Sequence, residues 1–180
     1  MIDIVEEAPI EVGAREALLD RTMGRDRFLK ASERLRRGHV PARGLALVSH
    51  LDREIIGSVR LWDVEAGDGR PALLLGPLAV DPRFQGYGIG SALMQTAIAS
   101  AIAHGHGAIL LVGDPGYYNR FGFSTEHTGK LRMPAPVLRR RFLGLELKPG
   151  ALVGAAGRIA AAHQPIATPM HDPSALSLAA

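Results

Sequence analysis

The chain contains no cysteine. That absence removes disulfides, thiolate metal ligands and a cysteine nucleophile together, and it suits a reducing compartment. Aromatic residues are scarce at 5%, and no recognised reading module accompanies the arginines, so a nucleic-acid partner is not expected. No apolar run is long enough to span a bilayer, and the N-terminus places Asp3, Glu6 and Glu7 where a secretory leader would carry a basic segment and an apolar one. Internal repeats and sequence-wide low-complexity tracts are also missing. The expectation is a cytoplasmic protein with no membrane partner.

What is present is a chain of 180 residues, 47% of them hydrophobic, which is the size of one domain able to bury a sizeable core. The net charge of +3 comes from arginines such as Arg36, Arg37 and the run Arg139-Arg140-Arg141. Such a surplus usually forms a solvated face, although a basic rim also attracts a phosphorylated ligand.

Along the chain, residues 1–7 alternate as a short strand would, and 11–23 and 26–37 read as two helices divided by Gly24 and ended by Gly38. Residues 45–50 and 54–64 read as strands joined in a hairpin across Leu51, Asp52 and Arg53. After a turn-rich stretch at 65–71 comes an apolar strand at 72–80, interrupted by Gly76-Pro77. Proline cannot donate a ladder hydrogen bond, so a bulge or a splayed strand is expected there. Residues 89–104 read as a largely covered helix stopped by Gly105, and 108–112 as a short strand. Residues 113–116 turn the chain, 117–120 make barely one helical turn, and Gly122-Phe123 leads back to extended structure. The last convincing strand is 142–147. From about residue 150 the chain is rich in Ala, Gly and Pro, so the domain is set at 1–162 and an irregular tail at 163–180. Only packing on this domain or on a second subunit would order that tail, which leaves a homodimer open.

Between the strand at 72–80 and the helix at 89–104 lies Gln85-Gly86-Tyr87-Gly88-Ile89-Gly90. Amides left unpaired at a helix start point outward, the helix dipole favours negative charge, and missing side chains let a diphosphate approach. The same glycines would also serve a tight turn alone. A dinucleotide fingerprint needs glycine or alanine where Ser91 stands and starts directly at a strand end, although Asp114 imitates its ribose-binding acid. A Walker loop needs a Gly-Lys-Ser/Thr that does not follow these glycines.

With Leu78-Ala79-Val80-Asp81-Pro82 before it, Gln85-x-x-Gly88-x-Gly90 resembles the acetyl-CoA motif of the GNAT superfamily. Tyr118-x-x-x-Gly122-Phe123, after the next strand, is similar to that superfamily's following motif, and the wording of 75–80 and 113–123 resembles its YhbS-like branch. The likeness is close over 73–123 and general elsewhere. It implies an α/β fold of the α+β type, with a mixed, mostly antiparallel central sheet, a splayed and bulged strand at 72–80, and flanking helices. It also implies an acyltransferase, an N-acetyltransferase moving acetyl from acetyl-CoA to a primary amine by direct attack, with no metal.

Carried over by position, backbone groups of Leu78 and Val80, on either side of Ala79, would hold the pantetheine arm, and the Leu78 N–H would stabilise the oxyanion. The N–H groups of Gln85, Gly86, Tyr87, Gly88, Ile89, Gly90 and Ser91 would hold the pyrophosphate. Tyr118 would protonate the departing thiolate, unless it is merely a core aromatic with its hydroxyl in solvent. Tyr117 stands one residue too far from Gly122-Phe123 for that role.

Two departures from the family pattern matter. Many relatives carry a glutamate base on the bulged strand, yet nothing at 72–80 ionises; Asp63, Glu65, His50, Glu126 and His127 could each reach a cleft edge, but such residues are more often solvated loop or strand-end groups, and a water chain is the alternative. Asp114-Pro115-Gly116 replaces the usual Asn-x-x-Ala, so no side-chain contact to pantetheine is assigned there. The missing base keeps open a non-catalytic acyl-CoA-binding or sensing module, and a nucleotide-binding domain is a further reading. The first helices and the C-terminal half would form the acceptor side, with a small metabolite, an antibiotic-like amine, a peptide N-terminus and a protein lysine all open as acceptors.

Overall fold

The computed structural model describes residues 2–162, so the irregular tail expected at 163–180 lies outside the described residues. Strand β1 (Asp3–Glu6) pairs with β2 (Ala46–Leu51), β2 with β3 (Glu54–Ala66) and β3 with β4 (Pro71–Val80), all antiparallel. The β2–β3 hairpin turns at Asp52 and Arg53, with φ of 48° and 68°. Two successive positive φ values match the right-handed twist of the flanking strands, and Asp tolerates that conformation better than most residues. Strand β4 then runs parallel to β5 (Ala108–Val112). Beyond β5 come β6 (Leu131–Arg132), β7 (Phe142–Glu146) and β8 (Gly157–Ala161), of which β7 closes the sheet antiparallel to β5. The sheet is mixed and mostly antiparallel, as the likeness implied.

The interruption at Gly76-Pro77 produces the expected irregularity. Val59 pairs with Leu78 and Leu61 with Leu75, so Arg60 alone faces the two residues Gly76 and Pro77. That is a bulge on β4, and its Gly76 carbonyl accepts a hydrogen bond from Trp62 Nε1 at 2.7 Å. Pairing between β4 and β5 is confined to Leu73 with Ile109 and Leu74 with Leu110. From Leu75 onward the two strands part, and the gap between them opens toward the glycine loop.

Side chains alternate across the sheet, and each face has its own core. Leu73, Leu75, Ile109 and Leu111 pack with Val59, Leu61 and the Leu93, Met94, Ala97 and Ala101 stripe of α3 (Ile89–Ala103). Leu74, Leu110, Trp62 and Phe142 pack on the other side with Leu35 and Leu152. The 89–103 stretch is apolar because it is covered, and its burial fixes the start of α3 beside the end of β4.

Two expectations are corrected. Helix α1 (Val12–Met23) forms, but the second helix expected at 26–37 is a 3-10 turn (Arg25–Leu29), an extended Lys30 and one short helix, α2 (Glu33–Arg36). Arg27 is turned back onto Glu16 and Asp20 of α1, which holds this segment against its neighbour in place of a continuous helix. The strand at 142–147 is not the last: β8 pairs antiparallel with the end of β3, at Val64–Ala161, Glu65–Ala160 and Ala66–Ile159, and parallel with β6. Its alanine and glycine content hides it, since Ile159 is its single large buried side chain. No helix among the described residues is long and apolar enough to cross a membrane.

Candidate active site

Asp81 begins the glycine loop and is buried. Its carboxylate accepts from the Arg83 amide at 3.0 Å, from Arg83 Nε at 3.0 Å and Nη2 at 2.9 Å, and from Arg21 Nη2 at 3.2 Å. These bonds, those from the Arg83 side chain first, hold the carboxyl well below the usual carboxylate range. Asp81 thereby ties the loop to α1 and caps the 3-10 turn Pro82–Phe84.

After that turn Gly86 and Gly88 adopt left-handed φ of 86° and 79°, conformations that side chains resist. The first helical bond of α3 runs from the Ala92 amide to the Gly88 carbonyl at 2.9 Å, and the amides of residues 86–91 have no acceptor among the described residues. Gln85 differs, because its amide donates to Pro82 at 3.4 Å. Val80, Gln85, Gly86, Gly88, Ile89, Gly90 and Ser91 line a concavity of about 280 Å³, with Tyr117 and Arg120 opposite. Tyr87 is 76% exposed and Ala79 is buried, and neither side chain lines it.

Tyr117 and Arg120 are the residues that sequence reasoning missed here. The Tyr117 phenol shares this concavity with Ser91, and burial raises its pKa. A Cβ on Gly90 would meet the Tyr117 Oη at 2.8 Å, so the glycine makes room for that hydroxyl. The Arg120 guanidinium stacks 4.2 Å above the Tyr117 ring and its Nε donates to the Tyr117 carbonyl at 2.9 Å. Spacing to Gly122-Phe123 argues against Tyr117, and a lone arginine on a short turn gives no local signal.

Tyr117 also borders the main cleft, of about 460 Å³, together with Leu78 and Tyr118. The Tyr118 ring lies edge-on to Tyr117 at 4.9 Å and to Phe123 at 6.1 Å. Gly113 lies beneath it, where a Cβ would come to 2.1 Å of the ring. The Tyr118 hydroxyl has no hydrogen-bond partner among the described residues, and burial first, then neighbouring Tyr117, push its pKa up to about 12. A phenol so placed stays protonated at neutral pH and can give a proton into the cleft.

None of the five candidate bases lines this cleft. His50 is bonded to Glu11 at 2.6 Å on the β1–β2 side, and Asp63, Glu65, Glu126 and His127 also lie elsewhere. The carboxylates that do line it are Glu16, Glu33 and Asp114. Glu16 is paired with Arg15 and Arg27, Glu33 with Arg36 at 3.1 Å, and Asp114 accepts from the Gly116 amide at 3.2 Å. Around them stand cations: Arg15, Arg27, Lys30, Arg36, Arg60 and Arg141.

With this geometry in view, the likeness to known proteins is specific. Residues 42–125 match the family described as "Acetyltransferase (GNAT) domain". The uncharacterised N-acetyltransferase YhbS of Escherichia coli strain K12 is 30% identical over 154 residues, 85% of this chain and 92% of that protein. A crystal structure of Escherichia coli YhbS in complex with CoA superposes with a TM-score of 0.75 at 30% identity, covering 90% of this chain and 89% of that one. A GNAT family acetyltransferase from Brucella melitensis, solved in complex with acetyl-CoA, shares the fold with a TM-score of 0.69 at 24% identity, over 90% of this chain and 96% of that chain.

Proposed function

The chain belongs to the GNAT acetyltransferase family and is an acyltransferase, and from that premise we propose that it transfers acetyl from acetyl-CoA to a primary amine, with residues 1–162 acting as one catalytic domain. The observation that carries this reading is that the amides of residues 86–91 and the Tyr118 hydroxyl, all without a partner among the described residues, flank one gap in the sheet, where β4 leaves β5. The solved CoA complex of the 30% identical YhbS supports it.

The residues present fit the cosubstrate. Six consecutive amides at the N-terminus of a 15-residue helix, two left-handed glycines and the Arg120 charge suit a diphosphate. Of the cradle residues, Gln85 serves through its side of the concavity, its amide being spent. Beyond Leu74, β4 is paired on one edge only, by β3, so Leu78, Ala79 and Val80 can offer backbone groups to the pantetheine arm.

Acetyl-CoA supplies an activated acyl carbon and a thiol leaving group: an N–C bond forms as the C–S bond breaks, the amine nitrogen loses a proton and the sulfur gains one. Tyr118 gives the proton that the sulfur takes, and solvent restores it. The Leu78 amide donates to the carbonyl oxygen as charge collects there. Among the described residues every carboxylate that lines the cleft is already engaged, so water carries the proton from the amine.

That same lack of a base favours a second reading, a non-catalytic acyl-CoA-binding module. Calorimetry with acetyl-CoA combined with thiol release over a panel of primary amines separates the two. Binding together with release for at least one amine supports transfer, and tight binding with no release for any amine supports the module.

A further inference from the structure

The charge of the main cleft bears on the acceptor. Among the described residues six cationic side chains line it against three carboxylates, and the pairing leaves a surplus at one end. Glu7, buried behind the wall, holds Arg15 at 3.1 Å and Arg60 Nε at 3.1 Å, while Glu16 and Asp20 hold Arg27. Asp114 is turned back to cap its own helix. Among the described residues Glu33 is thus the single carboxylate left beside Arg36, Lys30 and Arg141.

These three cations are under-paired. Among the described residues the Lys30 ammonium has no hydrogen-bond or ion-pair partner, and the Arg141 side chain donates to the Gly113 carbonyl at 3.2 Å and to no carboxylate. Arg36 is 7% exposed, its Nε has no hydrogen-bond partner among the described residues, and its Nη1 faces the Gly76 bulge. A guanidinium withdrawn from water with an unmet N–H is costly, and an anion arriving at the cluster offsets that cost.

Resting on the acetyl-transfer reading, we propose that the acceptor is a small molecule carrying an anionic group, a carboxylate or a phosphate, as well as its primary amine, and that the anion docks on Arg36, Lys30 and Arg141. The arginines suit either anion, because a guanidinium presents paired donors. A cleft of about 460 Å³ suits a small molecule. Polyamines and basic peptides would bring positive charge to a wall already positive, which opposes them. The same potential does a second job: it favours the neutral form of an incoming ammonium, as the nucleophile requires. Lys30 registers that field, since burial first, then Arg36 and Arg141, lower its pKa.

The test compares thiol release from acetyl-CoA for amino acids, their carboxamides, aminoalkylphosphonates and diamines, in wild type and in a Lys30→Gln/Arg141→Gln double variant. Both positions are exposed, so the variant is expected to fold. Acetyl-CoA binding is followed by calorimetry alongside. The anionic amines should exceed the amides and diamines by about 30-fold in kcat/KM, the scale of charged hydrogen bonds, with the better of carboxylate and phosphonate naming the anion. The double variant should lose most of that ratio while its acetyl-CoA Kd stays within about threefold. Without CoA, wild type should bind N-acetylated acids about tenfold more tightly than the matching amides. Equal or better turnover of amides or diamines overturns the proposal, as does a loss of acetyl-CoA affinity that matches the loss of turnover. A wild type that binds no acetyl-CoA removes the underlying reading instead.

Discussion

On one side of Tyr117 the cleft is lined by backbone, the amides of residues 86–91 at the start of α3. On the other it is lined by side chains, guanidinium groups delivered by α1, by the segment around α2, by β3 and by the approach to β7. The first surface needs side chains to be missing at fixed spacing, so its description is local. The second needs charges at the ends of long side chains from distant segments, and no spacing in the chain describes it. Tyr117 and Tyr118 stand where the two meet.

Replacing Tyr118 should do most damage, because it removes the proton donor from between them. Tyr118→Phe is expected to lower kcat by about 100-fold or more, the usual range for a general acid, with the acetyl-CoA Kd within about threefold. Steady-state kinetics with calorimetry check this, and unchanged turnover would take Tyr118 out of that role. Because burial holds the phenol protonated, with a pKa of about 12, wild-type kcat should show no alkaline fall centred below about pH 10.

The backbone side should be damaged by adding atoms. A side chain at Gly90 collides with the Tyr117 Oη, so Gly90→Val should weaken acetyl-CoA binding by at least about tenfold in calorimetry, the scale of an overpacked site. Removing side chains there should matter less. Arg120→Gln is expected to cost about fivefold in acetyl-CoA affinity at low salt and less at high salt, since its charge is screened. Ser91→Ala should cost less than about threefold, and a larger loss would mean that the cradle is not a backbone device.

The smallest expected effect concerns the brace beneath the loop. The folded state holds Asp81 ionised, so its contribution to stability is full above the ordinary carboxylate pKa and is lost as pH falls below about 4 toward the depressed value. Urea midpoints should therefore separate wild type from Asp81→Asn at pH 7 and converge on acidification. A constant separation would assign Asp81 to packing alone.

The same contrast explains what could be read in the chain. The bulge was legible because Pro77 lacks an N–H, and the start of α3 because glycines precede a long apolar run. The 26–37 segment was misread because its turns are set by Arg27 reaching back to α1, an interaction between segments. Strand β8 escaped because alanines carry no alternation, its place being set by the free edge of β3. Glu16 and Glu33 were overlooked among the cleft carboxylates, and Arg36 read as surface charge, because burial of a charged side chain is decided by the elements that fold over it.

A crystal structure with CoA bound tests the account most directly. It should show diphosphate oxygens about 3 Å from amides within residues 86–91, the arm along Leu78, Ala79 and Val80, and the sulfur facing the Tyr118 hydroxyl. A diphosphate held by the Lys30, Arg36 and Arg141 cluster, with the amides of α3 turned to water, would contradict it.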